Sequence, residues 1–323
     1  MSAHDVLEQL ADGKFHSGQD LADRHGISRT AIWKQIASLE KLGLEIQRLR
    51  GKGYRIKGGL ELLSEPRIRT GLEPPIAGLL HSLDVFHTID STNSELSRRS
   101  PVPHAATVCL SESQSAGRGR RGRDWVSPFG SSIYMSVAWQ FAGGVEVLEG
   151  LSLAVGAILC ETLDDMGVEG LSLKWPNDVL LGGKKLAGVL IEMSGDASGP
   201  CTAIIGMGVN VRLPDGAAAG IEQPWADLTQ KSGETVSRNK VVSSLLSRLL
   251  PALSVYEHGG FAEWVDRWRA LDAYADRPVT IESAGKSIAG VARGVDARGA
   301  LLLETESGLH AMHGGEVSLR PRP

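Results

Sequence analysis

The stretch LSLKWPNDVLLGGKKLAGVLIEM, residues 171–193, decides the fold of the central part of the chain. Two pairs of turn-forming residues, Asn177-Asp178 and Gly182-Gly183, separate its apolar segments, which is typical of strands joined by tight turns. The segment CTAIIGMGVNV, residues 201–211, predicts a further strand. This part of the chain therefore predicts a sheet with short connections.

The preceding residues predict more of the same sheet. Strands are predicted at VFHTID (85–90), ATVCLSE (106–112) and SSIYMSVAWQF (131–141). The segment LSLAVGAILCETLDDMG, residues 151–167, is apolar on most faces and predicts a buried helix that stops at Gly167. The pattern predicts a mixed α/β domain around a mainly antiparallel sheet.

The first sixty residues predict a winged helix-turn-helix. In HSGQDLADRHGISRTAIWKQIASLEKLGLEI, residues 16–46, Ser17 and Ser28 are predicted to cap two helices that a turn at Gly26 separates. The segment LEIQRLRGKGYRI, residues 44–56, then predicts a hairpin. A hairpin after the second helix forms the wing.

Charge in this region favours DNA as its partner. Residues 28–58 hold eight Lys/Arg and two acids, a net charge of +6, whereas residues 1–27 hold two bases and five acids, or −3. Positive charge on a recognition helix and wing suits contact with phosphates. The alternative is a basic face that binds a protein or nothing. The candidate DNA-binding residues are Arg29, Thr30, Lys34, Gln35, Arg50 and Lys52; Trp33 has no assigned role.

Composition indicates an ordinary globular protein. The chain has 323 residues, 42% of them hydrophobic, and a formal net charge of −4. The sequence has neither a signal-peptide pattern nor a long apolar run, so we expect a cytoplasmic protein that does not enter a membrane. Cys109, Cys160 and Cys201 lie far apart and are expected to be buried thiols.

The glycine-rich stretch GRGRRGRDW, residues 117–125, predicts a ligand-binding loop. It spells GxGxxG, but a strand rather than a helix is predicted to follow, so a dinucleotide-binding fold is excluded. Glycine lets backbone N–H groups approach an anion, and arginine offers a planar, permanently charged donor. A nucleotide or phosphate site, a contact with single-stranded nucleic acid and a solvated loop remain open at this point.

The last fifty residues predict a small antiparallel barrel. The segment RPVTIESAGKSIAGVARGVDARGALLLETESGLHAMHGGEVSLR, residues 277–320, alternates short apolar segments with glycine-containing turns. The chain is thus expected to be an α+β multidomain protein, with boundaries at residues 1–60, 61–272 and 273–323.

Several stretches in order along the chain resemble the bacterial bifunctional biotin protein ligase and biotin operon repressor family. They include DSTN (90–93), ESQSAGRGRRGRDWVSPFG (112–130), LKWPNDVLL (173–181), KKLAGVLIE (184–192), GMGVN (206–210) and GGEVSLR (314–320). The resemblance implies that the chain activates biotin with ATP and Mg²⁺ to biotinyl-5'-adenylate and transfers biotin to a lysine of a carboxylase carrier domain. It also implies that the adenylate acts as corepressor and favours a homodimer on operator DNA, and that the C-terminal domain is SH3-like.

The resemblance also implies site residues, by matching motif. Lys185, Arg118 and Arg120 would be catalytic, with Lys184 as a less expected alternative to Lys185. The biotin pocket would contain Ser91, Thr92, Asn93, Gln114, Arg118, Gly119, Arg120, Lys185 and Gly188. The ATP or adenylate site would contain Arg121, Trp125, Asn177, Asn210 and Arg320. Asp178 is a candidate Mg²⁺ ligand.

Simpler structural roles remain open for some of these residues. Ser91 and Thr92 suit the start of a helix, and Asn177-Asp178 suits a hairpin turn. Three alternative functions also stay open. They are a regulator that senses a ligand without ligase activity, a ligase without repressor activity, and a lipoate ligase.

Overall fold

The structure is a computed structural model that describes residues 3–100, 102–195, 199–214, 216, 220–229, 236–283, 286–313 and 318–321. Its N-terminal part contains helices α1 (Ala3–Leu10), α2 (Gly18–His25) and α3 (Arg29–Lys41) and strands β1 (Ile46–Leu49) and β2 (Gly53–Ile56). The two strands pair antiparallel. These elements form the predicted winged helix; α1 is an addition that the sequence interpretation did not include.

The predicted caps of the helix-turn-helix are present. Ser17 Oγ accepts a hydrogen bond from the Asp20 backbone N–H at 3.0 Å, and Ser28 Oγ accepts one from Ala31 at 3.1 Å. Each bond satisfies one of the N–H groups that a helix start leaves free. Gly26 ends α2 with φ of 62°, a left-handed conformation that glycine adopts at little cost. The two helices are therefore separated where the sequence indicates.

The central part is a mixed sheet of seven strands covered by helices. The strands are β3 (Leu80–Phe86), β4 (Ala106–Ser111), β5 (Ser132–Phe141), β6 (Leu171–Lys174), β7 (Asp178–Leu181), β8 (Lys184–Gly195) and β9 (Cys201–Asn210). The order is β3-β4-β5-β9-β8-β7-β6, and only the β3–β4 pair is parallel. The mainly antiparallel sheet is confirmed.

Among the described residues, six helices belong to the same part of the chain. They are α4 (Glu65–Thr70), α5 (Pro74–Ala77), α6 (Thr92–Ser97), α7 (Leu151–Asp164), α8 (Arg238–Gly259) and α9 (Val265–Ala270). Helix α7 is the predicted buried helix, with eleven buried residues among its fourteen. Helices α7 and α8 pack against each other and contribute to one large apolar core with the sheet.

Two sequence predictions need correction. Strand β3 covers residues 80–86 rather than 85–90, because its residues pair in parallel with β4 at the edge of the sheet, where a clear alternation is missing. The turn after β6 starts at Trp175, since Lys174 already pairs with Asp178. Asn177 is thus a turn residue, but Asp178 is the first residue of β7. The turn at Gly182-Gly183 is as predicted, with φ of 58° and 79°.

The C-terminal part is an antiparallel sheet of five strands. These are β10 (Pro278–Ser283), β11 (Lys286–Val295), β12 (Leu301–Thr305), β13 (Gly308–Met312) and β14 (Ser318–Pro321). They are ordered β13-β12-β11-β10-β14. The predicted antiparallel strands are present, and β13 and β14 are the outer ones.

A polar network joins the segment between the winged helix and the sheet to the central part of the chain. Arg238, at the start of α8, forms an ion pair with Glu112 at 2.7 Å, and both side chains are almost fully buried. Glu112 also accepts a hydrogen bond from the Leu63 backbone N–H at 2.6 Å. Asn239 accepts from the Ser64 N–H at 2.8 Å and donates to the Leu62 carbonyl at 2.9 Å. Residues 62–64 are therefore held by side chains of the central domain.

Candidate active site

The loop GRGRRGRDW forms a short hairpin over the sheet. The Gly119 N–H donates to the Arg123 carbonyl at 2.7 Å, and the Trp125 N–H donates to the Gly117 carbonyl at 2.9 Å. A Cβ atom at Gly117 would collide with the Trp125 carbonyl, so only glycine allows this approach. Arg121, at the tip, has φ of 60°, a conformation that non-glycine residues rarely adopt. No helix follows the loop directly, which agrees with the exclusion of a dinucleotide-binding motif.

Beneath the loop lies a buried polar pocket at the start of α6. Gln114 Oε1 accepts hydrogen bonds from Thr92 N–H at 2.9 Å and from Thr92 Oγ1 at 3.3 Å. Ser136 Oγ, from β5, donates to Asn93 Oδ1 at 2.5 Å and lies 2.7 Å from Thr92 Oγ1. Ser91, which occupies the cap position of α6, makes no capping hydrogen bond with its side chain. The predicted biotin residues on α6 are therefore joined to one another by their side chains.

Glu192, on β8, connects this pocket to the arginine loop. Its Oε2 accepts a hydrogen bond from Asn93 Nδ2 at 2.7 Å and one from Arg118 Nη2 at 2.9 Å. The Arg118 side chain is 45% exposed, whereas that of Glu192 is 31% exposed. Arg118 is thus held against the sheet by a carboxylate from a residue that the sequence interpretation did not select.

Lys185 lies at the centre of the candidate site, at the start of β8. Its Nζ forms an ion pair with Asp178 at 2.7 Å and lies 5.4 Å from the centre of the Trp125 ring. The Lys185 side chain is 17% exposed, whereas Lys184 is fully on the surface. The structure thus brings Lys185, and not its neighbour, to the predicted site.

Arg120 is a second half-buried cation of the site. Its Nη1 donates to Asn177 Oδ1 at 3.4 Å. Burial lowers the pKa of the Arg120 guanidinium from its ordinary value, and the Asp178 carboxylate opposes that shift. An arginine stays charged even so, because its unperturbed pKa is above 12. A fixed positive charge therefore faces the turn that holds Asn177.

The Trp125 ring covers two glycines on neighbouring strands. A Cβ atom at Gly208 would overlap the ring, and one at Gly188 would lie 3.1 Å from it. The ring separates a small cavity of about 30 Å³, lined by the α6 residues, Gln114 and Arg118, from a larger cavity of about 700 Å³. Trp125 therefore forms the wall between the two predicted ligand subsites.

The larger cavity has both charged and aromatic walls. Its lining includes Arg123, Trp125, Lys174, Lys185, Asn210 and Trp225. Asn210 Nδ2 donates to the Ala226 carbonyl at 3.1 Å, which ties the end of β9 to the segment that carries Trp225. The cavity is within the size range of pockets that hold small ligands.

The remaining predicted residues lie on the arginine loop and in the C-terminal sheet. Gly119 is part of the hairpin backbone, and Arg121 is exposed at its tip, beside Asn177 in a third, smaller cavity. The backbone of Arg320 pairs with Thr280 in the C-terminal sheet. Its side chain lies outside the described residues, so the Arg320 assignment stays a prediction.

Sequence reasoning missed several residues of the site. Ser136, Ser127, Glu192 and Trp225 all contact or line it. Trp225 is an isolated aromatic in GIEQPWADL, residues 220–228, which could have been noticed as a ring next to turn-forming residues. Glu192 carries no local signal, because its partner Arg118 is 74 positions away.

The winged helix presents most of its predicted DNA-binding residues to solvent. Arg29, Thr30 and Lys34 on α3 and Arg50 and Lys52 on the wing are exposed, whereas Gln35 is half-buried. The two acids of residues 28–58 are both in ion pairs with bases of the same segment, Glu40 with Arg48 at 2.7 Å and Glu45 with Lys57 at 2.9 Å. The positive charge of the exposed face therefore comes mainly from the lysines and arginines other than Arg48 and Lys57.

Three further features of the described residues bear on the chemistry. Among the residues that the structure describes, His, Cys, Asp and Glu form no group of three or more with the geometry to hold a metal ion. The described helices include none with the length and apolar character needed to cross a membrane. All three cysteines are buried and unpaired with one another, as predicted.

Comparisons with known proteins agree with this architecture. Residues 85–210 match the biotin/lipoate A/B protein ligase family, residues 3–55 match an HTH domain, and residues 275–320 match the biotin protein ligase C-terminal domain. The bifunctional ligase/repressor BirA of Salmonella typhimurium is 39% identical over 98% of this chain and 96% of its own length. The protein of the same name from Escherichia coli is 38% identical with the same coverage.

A solved biotin protein ligase structure is also similar to this chain. Biotin protein ligase from Aquifex aeolicus in complex with biotin and ATP aligns with a TM-score of 0.64 and 28% identity, covering 75% of this chain and 100% of that one. The identity and near-complete coverage of the curated relatives, together with the three matched domains, show that the chain belongs to the bifunctional biotin protein ligase and biotin operon repressor family.

Proposed function

We propose that the protein joins biotin to ATP, forms biotinyl-5'-adenylate and transfers biotin to a lysine of a carboxyl carrier domain. The observation that carries the proposal is the position of Lys185. Its ammonium lies beside Trp125, at the boundary between the polar pocket and the larger cavity. A cation at that boundary is where the carboxylate of one ligand and the phosphate of the other would meet.

The polar pocket suits the ureido group of biotin. The buried Thr92, Asn93 and Ser136 and the half-buried Gln114 offer both donors and acceptors. The ureido group has two N–H donors and one carbonyl acceptor. Its cavity of about 30 Å³ is too small for the bicyclic ring. Biotin would therefore enter as the loop and the Trp125 ring move away from the glycines of the sheet.

The larger cavity suits ATP. Trp125 and Trp225 offer aromatic faces for adenine, and Asn210 lines the same cavity. Asn177 and Arg121 line the smaller cavity that shares Trp125 and Lys185 with it. We assign these residues, with Arg320, to the nucleotide.

The cations of the site match the chemistry of the first step. A biotin carboxylate oxygen attacks the α-phosphorus of ATP, the bond from that phosphorus to the bridging oxygen breaks, and pyrophosphate leaves. Two anions must approach and charge develops on the phosphoryl oxygens, so fixed cations are the main requirement. Lys185, Arg118 and Arg120 supply them. In the second step the amine of a carrier lysine attacks the carbonyl carbon, and AMP leaves as the amide forms.

Magnesium would enter with ATP. Asp178 is a half-buried carboxylate next to Lys185 and fits the usual arrangement in which one or two carboxylates and phosphate oxygens hold Mg²⁺. When bound, the ion would neutralise charge on the leaving pyrophosphate.

We also propose that the adenylate-bound protein forms a homodimer that places two winged helices on operator DNA, and that it acts in the cytoplasm. The basic, exposed faces of α3 and the wing support contact with DNA phosphates. We assign the domains to residues 1–60, 61–272 and 273–323, and propose that the five C-terminal strands form an SH3-like barrel.

The enzyme proposal is tested by mass spectrometry of an acceptor. The protein is incubated with Mg²⁺·ATP, an apo carrier domain and either biotin or lipoate, and the carrier is then weighed intact. We expect a mass gain with biotin only. A gain with lipoate only would identify a lipoate ligase, and no gain on the carrier with either acid would refute ligase activity.

A matched pair of variants tests the role of Lys185. We expect Lys185→Met to lower the rate of adenylate formation at least about a hundredfold, the usual loss for a group that stabilises developing charge. Lys184→Met removes the same charge from the adjacent surface position and should stay within about twofold of the wild type. Equal losses in the two variants would show that general charge, rather than the position of Lys185, matters.

Gel-shift experiments test repression separately. A pool of random duplexes is selected with the protein in the presence and absence of biotin and Mg²⁺·ATP. We expect binding that strengthens with both ligands and weakens steeply with salt, because phosphate contacts release counterions. DNA binding that does not change when biotin and Mg²⁺·ATP are added would contradict the corepressor role. It would leave the ligase proposal unaffected.

A further inference from the structure

Trp33 is a large aromatic residue that the winged helix does not use for its own core. It lies in the first half of α3, next to the buried Ile32, yet its side chain is 54% exposed. The apolar face of α3 is formed by Ile32, Ile36 and Leu39, which are fully buried. The ring therefore gains little from burial within its own domain and is available to a partner outside it.

Helix geometry places Trp33 on the wing side of α3. Residues four or seven positions apart lie on nearly the same face of a helix. Arg29 precedes Trp33 by four positions and Glu40 follows it by seven, and Glu40 is bonded to Arg48 on β1 of the wing. Trp33 therefore lies on the flank that faces the wing, one turn after the predicted contacts Arg29 and Thr30.

Charge identifies the partner of this surface. Arg29 and Lys34 are exposed on the same helix as Trp33, Arg50 and Lys52 are exposed on the wing, and the segment 28–58 carries +6 overall. This surface suits duplex DNA, because its lysine and arginine side chains would neutralise the DNA phosphates. A neutral indole adds nothing to phosphate attraction. Its chemistry suits instead the apolar group that the major groove displays, the C5 methyl of thymine.

We propose that Trp33 is a specificity-determining residue that packs its indole against a thymine methyl group in the major groove of the operator. The inference rests on the proposed repressor function. It assigns sequence recognition to Trp33. The basic residues of α3 and the wing would position the domain on the DNA backbone.

Thymine-to-uracil replacement tests the contact, because it removes only the methyl group. The full-length protein with biotin and Mg²⁺·ATP first selects its sites from random duplexes. Each thymine of a selected site is then replaced singly, and dissociation constants are measured for the wild type and for Trp33→Ala. We expect at least one position where uracil weakens wild-type binding about fourfold, the value for one methyl group. At that position Trp33→Ala should be insensitive to the replacement.

Two further variants separate this contact from a general effect. Trp33→Phe keeps an aromatic face and should retain part of the sensitivity to uracil. Val255→Ala, on α8, removes apolar atoms from a side chain that is equally exposed, at 54%, and should bind as the wild type does. Thermal unfolding of each variant confirms that the winged helix is intact.

The outcomes distinguish the inference from the function it rests on. If Trp33→Ala keeps the wild-type response to uracil, or weakens all duplexes equally, the indole does not recognise a methyl group and the inference is overturned. If the wild-type protein selects no sequence in a ligand-dependent manner, the repressor proposal fails and the inference fails with it. Loss of sensitivity at one position, with partial retention in Trp33→Phe, supports it.

Discussion

Replacing Arg238 with methionine should strongly destabilise the central domain. The Arg238 and Glu112 side chains are only 3% and 2% exposed, and their charged atoms are 2.7 Å apart. Arg238 also donates to the Ser132 carbonyl at 3.0 Å and to the Glu61 carbonyl. Arg238→Met leaves the Glu112 carboxylate buried without its cation, which typically costs about 3–5 kcal/mol. Because a domain is stable by only about 5–15 kcal/mol, urea unfolding followed by circular dichroism should detect the loss easily.

A double-mutant cycle isolates the ion pair within that loss. Glu112→Gln keeps an oxygen that accepts from the Leu63 N–H but removes the charge, so on its own it leaves Arg238 unpaired. In the double variant neither charge remains, and we expect at least about 2 kcal/mol of the summed single losses to be recovered. Arg248→Met is the control, since Arg248 is on the same helix but 41% exposed, and should cost less than about 1 kcal/mol. Strict additivity of the two single losses would refute the coupling.

Three further predictions concern the active site and the thiols. Glu192→Ala should release Arg118 and speed dissociation of the adenylate about three- to tenfold, which corresponds to the free energy of roughly one hydrogen bond. Glu192→Gln should have a smaller effect. Filter binding of labelled adenylate measures the dissociation rate of both variants. Arg120→Gly should let adenylate escape, so that a bystander protein becomes biotinylated; unchanged retention would argue against the role of Arg120. Burial raises the pKa of Cys109 and Cys160 to about 12 and also raises that of Cys201, so all three thiols stay protonated at pH 8. Mass spectrometry should find them unmodified by iodoacetamide in the native protein but alkylated in urea.

Local features of the fold were predictable because neighbours in sequence determine them. The caps at Ser17 and Ser28, the turn at Gly26 and the Gly182-Gly183 turn each depend on a few adjacent residues. The edge strand β3 was misplaced because parallel pairing with β4 is a long-range property. No sequence prediction covers α8 or α9, although α8 supplies Arg238 to the buried ion pair.

The sequence indicates the candidate site residues but not the network of contacts that holds them. Motif resemblance indicated Lys185, Arg118 and Asn93 without indicating what holds them. Glu192 holds two of them, and Asp178 pairs with the third. Ser136 could not be predicted from the pattern of β5. Nearly every residue of this strand is buried, so the strand has no polar face that would indicate a site residue. Partners brought together by the sheet leave no periodic signal in the chain.

Phe129 extends the apolar core of the winged helix beyond the proposed boundary at residue 60. It follows Trp125 by four positions, yet its side chain is 5% exposed and belongs to the apolar core of the winged helix, with Leu10, Leu21 and Ile56. Between the two rings, Ser127 accepts a hydrogen bond from Gln114 at 3.2 Å and donates to the Trp125 carbonyl at 2.9 Å. Since protein interiors are close-packed, a ligand that displaces the Trp125 ring acts on a segment whose other end is fixed inside the DNA-binding domain. The candidate ligand-binding loop and the winged helix are thus joined by three residues, Val126 to Pro128, and not only by the linker at residues 57–64.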